Sequence, residues 1–275
     1  MSSTWFITGT SSGFGRRLTE KLLARGSRVV ATLRKTNALD DLKARYGNLL
    51  RLASVDVTDT QAVRQTVDDA FGALGLIDVV VSNAGYGLFG AAEELDDDQI
   101  HQQIETNLIG SIQLIRAVLP HLRNQGGGRI LQVSSEGGQI AYPGLSLYHA
   151  TKWGIEGFVE AVRQEVAPFG IAITLVEPGP TRTNFAAGLV SARPTDVYEN
   201  TPVGDLRRAW TGGTFAVTGD PDKMAEAMIA SADQTPAPHR LTLGSTAYAS
   251  IRGALQGRLA ELEESKQITL SVDVD

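Results

Sequence analysis

No cysteine occurs among the 275 residues, which excludes disulfides, zinc–thiolate sites and cysteine nucleophiles and agrees with a reducing compartment. Basic charge is not in excess either. Lys and Arg number 25 against 31 Asp and Glu, a net charge of −6, so no positive field draws nucleic acid or anionic lipid. The expected partner is a small neutral or polar molecule, with no nucleic acid and no membrane. Long hydrophobic runs are missing: nothing approaches the ~20 apolar residues that cross a bilayer. No basic segment followed by an apolar run precedes the first glycine turn, so a soluble cytoplasmic protein is expected. The histidines, His101, His121, His149 and His239, are scattered without H-E-x-x-H spacing, and no metal is expected.

What is present is an alternating pattern. Short β-rich runs at 4–9, 28–33, 49–57, 77–85, 128–135, 171–179 and 241–244 are separated by segments of helical periodicity, among them 14–25, 60–74, 97–123 and 149–168. Apolar strands spaced by helices predict right-handed β-α-β units and a doubly wound, Rossmann-type parallel sheet of about seven strands with helices on both faces. A chain that is 42% hydrophobic and 20% charged over 275 residues can bury one full core, so residues 1–275 are read as a single α/β domain.

Local signals sharpen the pattern. Gly26 stands where the first helix needs a left-handed terminus, and Asp96 stands where a helix needs a cap, with Asp97 and Asp98 in its first turn. Residues 181–219 mix Gly, Pro and Thr with Phe185, Tyr198, Trp210 and Phe215. That is too long for an ordinary connector and is expected to form a partly helical lid. Pro221 opens a further helix, and about 245–275 forms a C-terminal helix and charged tail.

"TGTSSGFG" at 8–15 fits two templates. Gly9 to Gly13 is G-x-S-x-G, the elbow that presents a nucleophilic serine, here Ser11. With Gly15 added, it is a glycine turn that carries a phosphate into a helix N-terminus. The elbow needs an upstream oxyanion loop and a late histidine with an acidic partner. At most one strand precedes Ser11, and His239 in "APHRL" has no evident partner. The phosphate reading suits the position after the first strand. The remaining strand ends offer Asp56, "SNAG" at 82–85, "SSEGG" at 134–138 and "EPGPTRT" at 177–183.

"YHATK" puts Tyr148 and Lys152 on one helix face, with Ser135 at the end of the preceding strand. A nearby ammonium favours the phenolate and is expected to bring the phenol into working range as a general acid or base, while Ser135 could hold a carbonyl oxygen. Each also has a plainer reading: a core aromatic, a solvated helix face, a strand-end hydroxyl.

Taken in order, "TGTSSGFG", "NAG" at 83–85, the asparagine of "ETNLIG", a serine thirteen before the tyrosine, "YHATK" and "PGPTRT" resemble the short-chain dehydrogenase/reductase family over about residues 4–244. The match is to the subgroup with a T-G-x-x-x-G-x-G turn and a Y-x-x-x-K pair, and the "SSEGGQIAYPG" region resembles its hydroxysteroid and retinol dehydrogenase branch. The resemblance implies a catalytic set of Asn107, Ser135, Tyr148 and Lys152. Tyr148 would exchange a proton with the substrate oxygen while hydride moves to or from nicotinamide. Lys152 would hold the ribose hydroxyls and depress the tyrosine pKa, Ser135 would orient the carbonyl, and Asn107 would hold a water linking the lysine to solvent.

For the cofactor it implies Gly9, Ser11, Ser12, Gly13, Phe14 and Gly15 around the pyrophosphate and Asp56 and Val57 at the adenine. Asn83, Ala84 and Gly85 would lie on the ribose side, with Tyr148, Lys152, Pro178, Gly179, Thr181 and Thr183 toward the nicotinamide. Relatives using NAD carry an acid at the end of the second strand. This chain has Leu33 there and Arg34 next, suited to a 2′-phosphate, although Ser12 departs from the strongest NADP pattern. NADP(H) is therefore expected over NAD(H).

Tyr86, Phe89, Tyr142 and Phe185 follow pocket-edging positions, favouring a small, mostly apolar ketone or alcohol. The helices at 97–123 and 149–168 resemble those through which relatives form homodimers or homotetramers. The competing functions are a non-catalytic NADP(H)-binding sensor, a serine hydrolase using Gly9–Gly13, and an epimerase or dehydratase, for whose substrate domain the C-terminal portion leaves little room.

Overall fold

The computed structural model describes residues 3–183, 185 and 188–274. Residues 184, 186 and 187 of the expected lid lie outside them. Strands β1 (Thr4–Thr8), β2 (Arg28–Leu33), β3 (Leu50–Ser54), β4 (Val79–Ser82), β6 (Gly128–Val133), β7 (Ile171–Pro178) and β9 (Arg240–Leu243) form one sheet in the order β3-β2-β1-β4-β6-β7-β9, and all its pairings are parallel. A pair of two-residue strands, β5 (Leu88–Phe89) and β8 (Val190–Ser191), lies apart from it.

The helices are α1 (Gly13–Ala24), α2 (Asp40–Tyr46), α3 (Thr60–Leu74), α4 (Asp97–Ile104), α5 (Gly110–Asn124), α6 (Ser146–Val166), α7 (Pro202–Thr211), α8 (Pro221–Ala232), α9 (Ser245–Glu264) and α10 (Lys266–Leu270). Strand periodicity distributes the sheet between two cores. Trp5, Ile7, Val29 and Ala31 pack with α1 and α8 on one face; Phe6 and Val30 pack with α3, α5 and α6 on the other. Burial on both faces is why these strands read as continuous apolar runs. Strand order reverses between β1 and β4, which opens a crevice at their carboxyl ends.

The expected terminators hold: Gly26 follows α1 at φ 79°, and the Asp96 side chain accepts from Gln99 N while Gln99 reaches back to Asp96 N. Three boundaries differ from the sequence reading. The 97–123 helix is interrupted by a π-helical turn over Glu105–Ile109, because Asn107 bonds the backbone of Tyr86 at both ends of its amide. The 49–57 strand stops at Ser54 and the 77–85 strand at Ser82, each where side chains take over the backbone groups. Asp56 accepts from Thr58 N at 3.0 Å, and the Thr8 hydroxyl accepts from Asn83 N at 2.9 Å and Ala84 N at 3.1 Å.

Within 181–219, β8 pairs with β5 and α7 follows. Glu94 ties the segment down by accepting from Thr195 N and from Arg207 Nη2, both at 2.7 Å. Among the described residues, no helix is long and apolar enough to cross a membrane.

Candidate active site

The glycine turn leaves β1 at the crevice. Gly9 has φ +69°, and a Cβ there would sit 2.8 Å from Ala84 Cα; at Gly15 it would sit 2.4 Å from Gly9 O and 2.8 Å from Asn83 Nδ2. Only glycine allows this approach of helix and strand. At Gly13 open space surrounds the backbone, and its φ of +55° is what requires glycine. Ser12 occupies the N-cap of α1 without a side-chain cap bond, and the first turn holds no acid. The first-turn amides therefore keep their affinity for an anion. Ser11 and Ser12 are exposed beside them, while the Phe14 ring packs on the core and leaves only its backbone for a ligand.

Thr8, which motif spacing passed over, organises the neighbouring wall. Besides accepting from Asn83 N and Ala84 N, it offers its carbonyl to Asn83 Nδ2 at 2.9 Å, and Gly9 O accepts from the same amide at 3.1 Å. A buried strand-end hydroxyl before the first glycine is the signal that could have found it. Gly85 comes next, where a Cβ would stand 3.2 Å from Asn107 Oδ1.

At the far end, Arg34 and Asp56 are exposed past β2 and β3. Backbone and hydroxyl bonds from Thr58, together with the charge of Arg34, hold the Asp56 carboxyl below its usual range. Val57 is half-buried beside it and packs against Gly110. Past β7, Gly179 N donates to Leu243 O at 2.9 Å, Thr181 Oγ1 to Gly179 O at 2.7 Å, and Thr183 N to Thr181 O at 2.7 Å. Pro178, Gly179, Thr181 and Thr183 thus form one ordered turn at the strand ends.

The proposed catalytic residues converge from three elements. Ser135 follows β6, its Oγ accepting from Gly137 N at 3.0 Å, and its hydroxyl lies near enough to the Tyr148 phenol to favour ionisation. Tyr148 stands in the first turn of α6. One turn on, Lys152 is buried, donates from Nζ to Val133 O at 3.0 Å, and lies 5.7 Å from the Tyr148 ring centroid. The Asn107 amide meets this helix at Thr151, with Nδ2 to Oγ1 at 3.5 Å.

Burial raises the Tyr148 phenol to about 12, opposed by the nearby Ser135 hydroxyl and assisted by the charge of Glu136. Burial also lowers Lys152 to about 8, against the pull of Glu156. Low dielectric disfavours both ions, and the form of the phenol that burial favours is the neutral hydroxyl, a proton donor. Glu136 is buried with Oε1 accepting from Tyr142 OH at 3.0 Å and Oε2 without a partner, and burial raises its carboxyl as well.

Of the four aromatics assigned to the pocket edge, Phe185 faces the chemistry, edge-on to Tyr148 at 5.8 Å. Phe89 is buried under Gly144, the Tyr142 hydroxyl is tied to Glu136, and the Tyr86 backbone is held by Asn107.

His149 has a structural part in this site. Its Nδ1 is 2.8 Å from Gly137 O, and its Nε2 accepts from Tyr142 N at 2.8 Å. This bonding fixes the neutral ring with its proton on Nδ1, and burial lowers the pKa from the ordinary 6.5. A depressed folded pKa means that the unfolded chain takes up the proton first. The anchoring of 137–142 is therefore complete above about 6.5 and is lost as pH falls through the lower folded value. Amide protection factors in this loop, taken against the intrinsic exchange rate at each pH, are expected to fall as pH drops below about 6.5; unchanged protection would show that His149 does not hold it.

The hydrolase geometry is not present. Ser11 lies past the carboxyl end of β1, whereas His239 immediately precedes β9, and in a parallel sheet those are opposite ends.

Residues 3–194 match the family profile described as short chain dehydrogenase. The chain is similar to oxidoreductase BOA17 of Botryotinia fuckeliana, 36% identical over 98% of this chain and 99% of that one. It is also similar to human 17-beta-hydroxysteroid dehydrogenase type 1, 34% identical over 74% of this chain and 63% of that one. The crystal structure of a short-chain dehydrogenase from Streptomyces avermitilis matches at 37% identity and TM-score 0.93, covering 100% of both chains. At the level of fold alone, ElxO with NADP bound matches at 22% identity and TM-score 0.75 over 90% of this chain and 100% of that one. The glycine turn, the serine, tyrosine and lysine gathered at the strand ends, and these full-length similarities lead to one conclusion: the chain belongs to the short-chain dehydrogenase family and is an oxidoreductase acting on CH–OH and C=O groups.

Proposed function

We propose that the protein is an NADP(H)-dependent carbonyl reductase or secondary-alcohol dehydrogenase for a small, mostly apolar substrate. The observation that carries this reading is the gathering of Ser135, Tyr148 and Lys152, the lysine one helical turn from the tyrosine and 5.7 Å from its ring centroid, at the same strand ends as the glycine turn.

The residues fit a dinucleotide. The turn at Gly9, Gly13 and Gly15 is free of side chains, the α1 amides are uncapped, and Arg34 stands exposed past β2 where a 2′-phosphate would meet its fork of donors. Bound there, the nicotinamide would supply or accept the hydride. Tyr148 gives its hydroxyl proton to the carbonyl oxygen, Ser135 fixes that oxygen by a second hydrogen bond, and Lys152 holds ribose hydroxyls and carries the local positive charge. The neutral resting phenol supports reduction as the direction needing no prior ionisation.

NADPH consumption against a panel of ketones and aldehydes, repeated with NADH, tests the assignment. Arg34→Ala is expected to weaken NADPH about tenfold, the scale of one exposed charge-assisted contact, and to leave NADH nearly unchanged. Equal efficiency with both cofactors before the substitution would overturn the preference. NADPH binding without turnover of any compound would favour the sensor.

A further inference from the structure

The C-terminal helix leaves the body of the protein carrying an uncovered apolar face. Ile251 of α9 is buried. Arg258 donates to Gln139 O at 2.6 Å and lies over Trp153 at 5.1 Å from the ring centroid. Every described residue from Leu259 onward is exposed. Tyr248, Leu255, Leu259 and Leu262 are 62%, 49%, 60% and 58% exposed, and their helical spacing gathers them into one stripe. A solvated arm of a few turns gains little from its own hydrogen bonds and is marginal in water unless its apolar side is covered.

We infer that this stripe is a docking surface for a second copy of the chain, with the two α9 helices antiparallel about a two-fold axis near Gly257. The charges carry the argument. Arg252 and Glu263 lie on the same flank of the stripe, equally far to either side of that axis, and both are exposed. Two-fold rotation keeps each flank on its own side and reverses direction along the helix. Each Arg252 therefore meets the opposite copy's Glu263, twice per interface, while Leu255 comes level with Leu259. A parallel pairing would instead leave Arg252 and the opposite copy's Glu263 about 16 Å apart along the helices. Among the described residues of its own chain, Glu263 has only the i,i+3 contact with Lys266 at 3.7 Å, both side chains more than 60% exposed, a pair that solvent screens. Glu261, Glu263 and Glu264 near the end of the helix disfavour an anionic membrane as the occupant, since interfacial helices flank their apolar face with Lys and Arg.

The surface reaches the active site through Arg258, which holds Gln139 O, so docking on α9 steadies the loop that follows Ser135.

Sedimentation equilibrium of the full chain tests the proposal. Wild type is expected to self-associate. Leu259→Glu with Leu262→Glu should step the assembly down by weakening it at least about a hundredfold, the scale of losing buried leucines from both copies. Arg252→Glu and Glu263→Arg should each weaken it about threefold to tenfold, and the two together should restore it. Thermal melts report that each variant's body remains folded. A monomeric wild type, an assembly indifferent to the leucine changes, or a double charge swap no better than the single ones would overturn the inference. So would pelleting with phosphatidylserine vesicles that the leucine changes abolish, which would assign the stripe to a membrane.

Discussion

Tyr148→Phe is expected to lower kcat for carbonyl reduction by about a thousandfold or more, within the range for removing a positioned general acid, while NADPH affinity changes little. The substitution deletes one hydroxyl and keeps the ring. The edge contacts of Tyr148 with His149 and Phe185, each at 5.8 Å, survive, so the loss reads out proton transfer and not folding. The phenol at about 12 is protonated throughout the neutral range, and the wild-type rate for reduction should not show an alkaline limb from Tyr148 below about 10. Any limb near 8 belongs to Lys152, whose ammonium is lost as pH rises through that value. Single-turnover rates and NADPH titrations of both proteins are the measurements. A variant that retains wild-type turnover removes Tyr148 from the chemistry.

Arg240→Met is expected to destabilise the fold by about 3–5 kcal/mol, the cost of stranding buried carboxylates. Arg240 reaches from β9 to two acids that are 4% and 0% exposed, Glu156 and Glu177. It bonds Glu156 Oε2 at 2.6 Å, Glu177 Oε1, and the more exposed Glu160 at 2.8 Å. Ser134 and Gln139 complete the network, bonding Glu156 at 2.6 Å and Glu177 at 2.8 Å. Methionine keeps the volume and removes the charge, leaving Glu156 with a carboxyl that burial already pushes up. A carboxyl whose folded pKa exceeds its unfolded value binds its proton more readily in the folded state, so the variant's deficit should shrink as pH falls toward the ordinary 4.5 and grow above it. Urea unfolding at several pH values measures this. A deficit under about 1 kcal/mol near neutrality would mean that the network contributes no more than a surface pair.

Much of this architecture was legible in residue order. Continuous apolar runs such as Val79–Ser82 and Ile171–Pro178 announce strands buried on both faces, and Gly26 and Asp96 mark helix ends because their backbone or side-chain chemistry is local. The site residues were equally legible where spacing alone places them: Tyr148 and Lys152 share a helix face whatever the helix packs against. The π-turn at Glu105–Ile109 was not legible, since its cause is the pairing of Asn107 with Tyr86, two residues far apart in sequence. Thr8 was missed for the same reason, its partners being Asn83 and Ala84 on another strand.

By itself the sequence determined the order of strands and helices and the glycine positions after the first strand, which follow from periodicity and backbone chemistry acting over a few residues, and its family resemblance marked Tyr148, Lys152 and Ser135 as the proposed acid, lysine and serine. Only the tertiary structure decided how burial acts on the site. It raises the Tyr148 phenol and lowers the Lys152 ammonium, and desolvation depends on which distant segments close over a group.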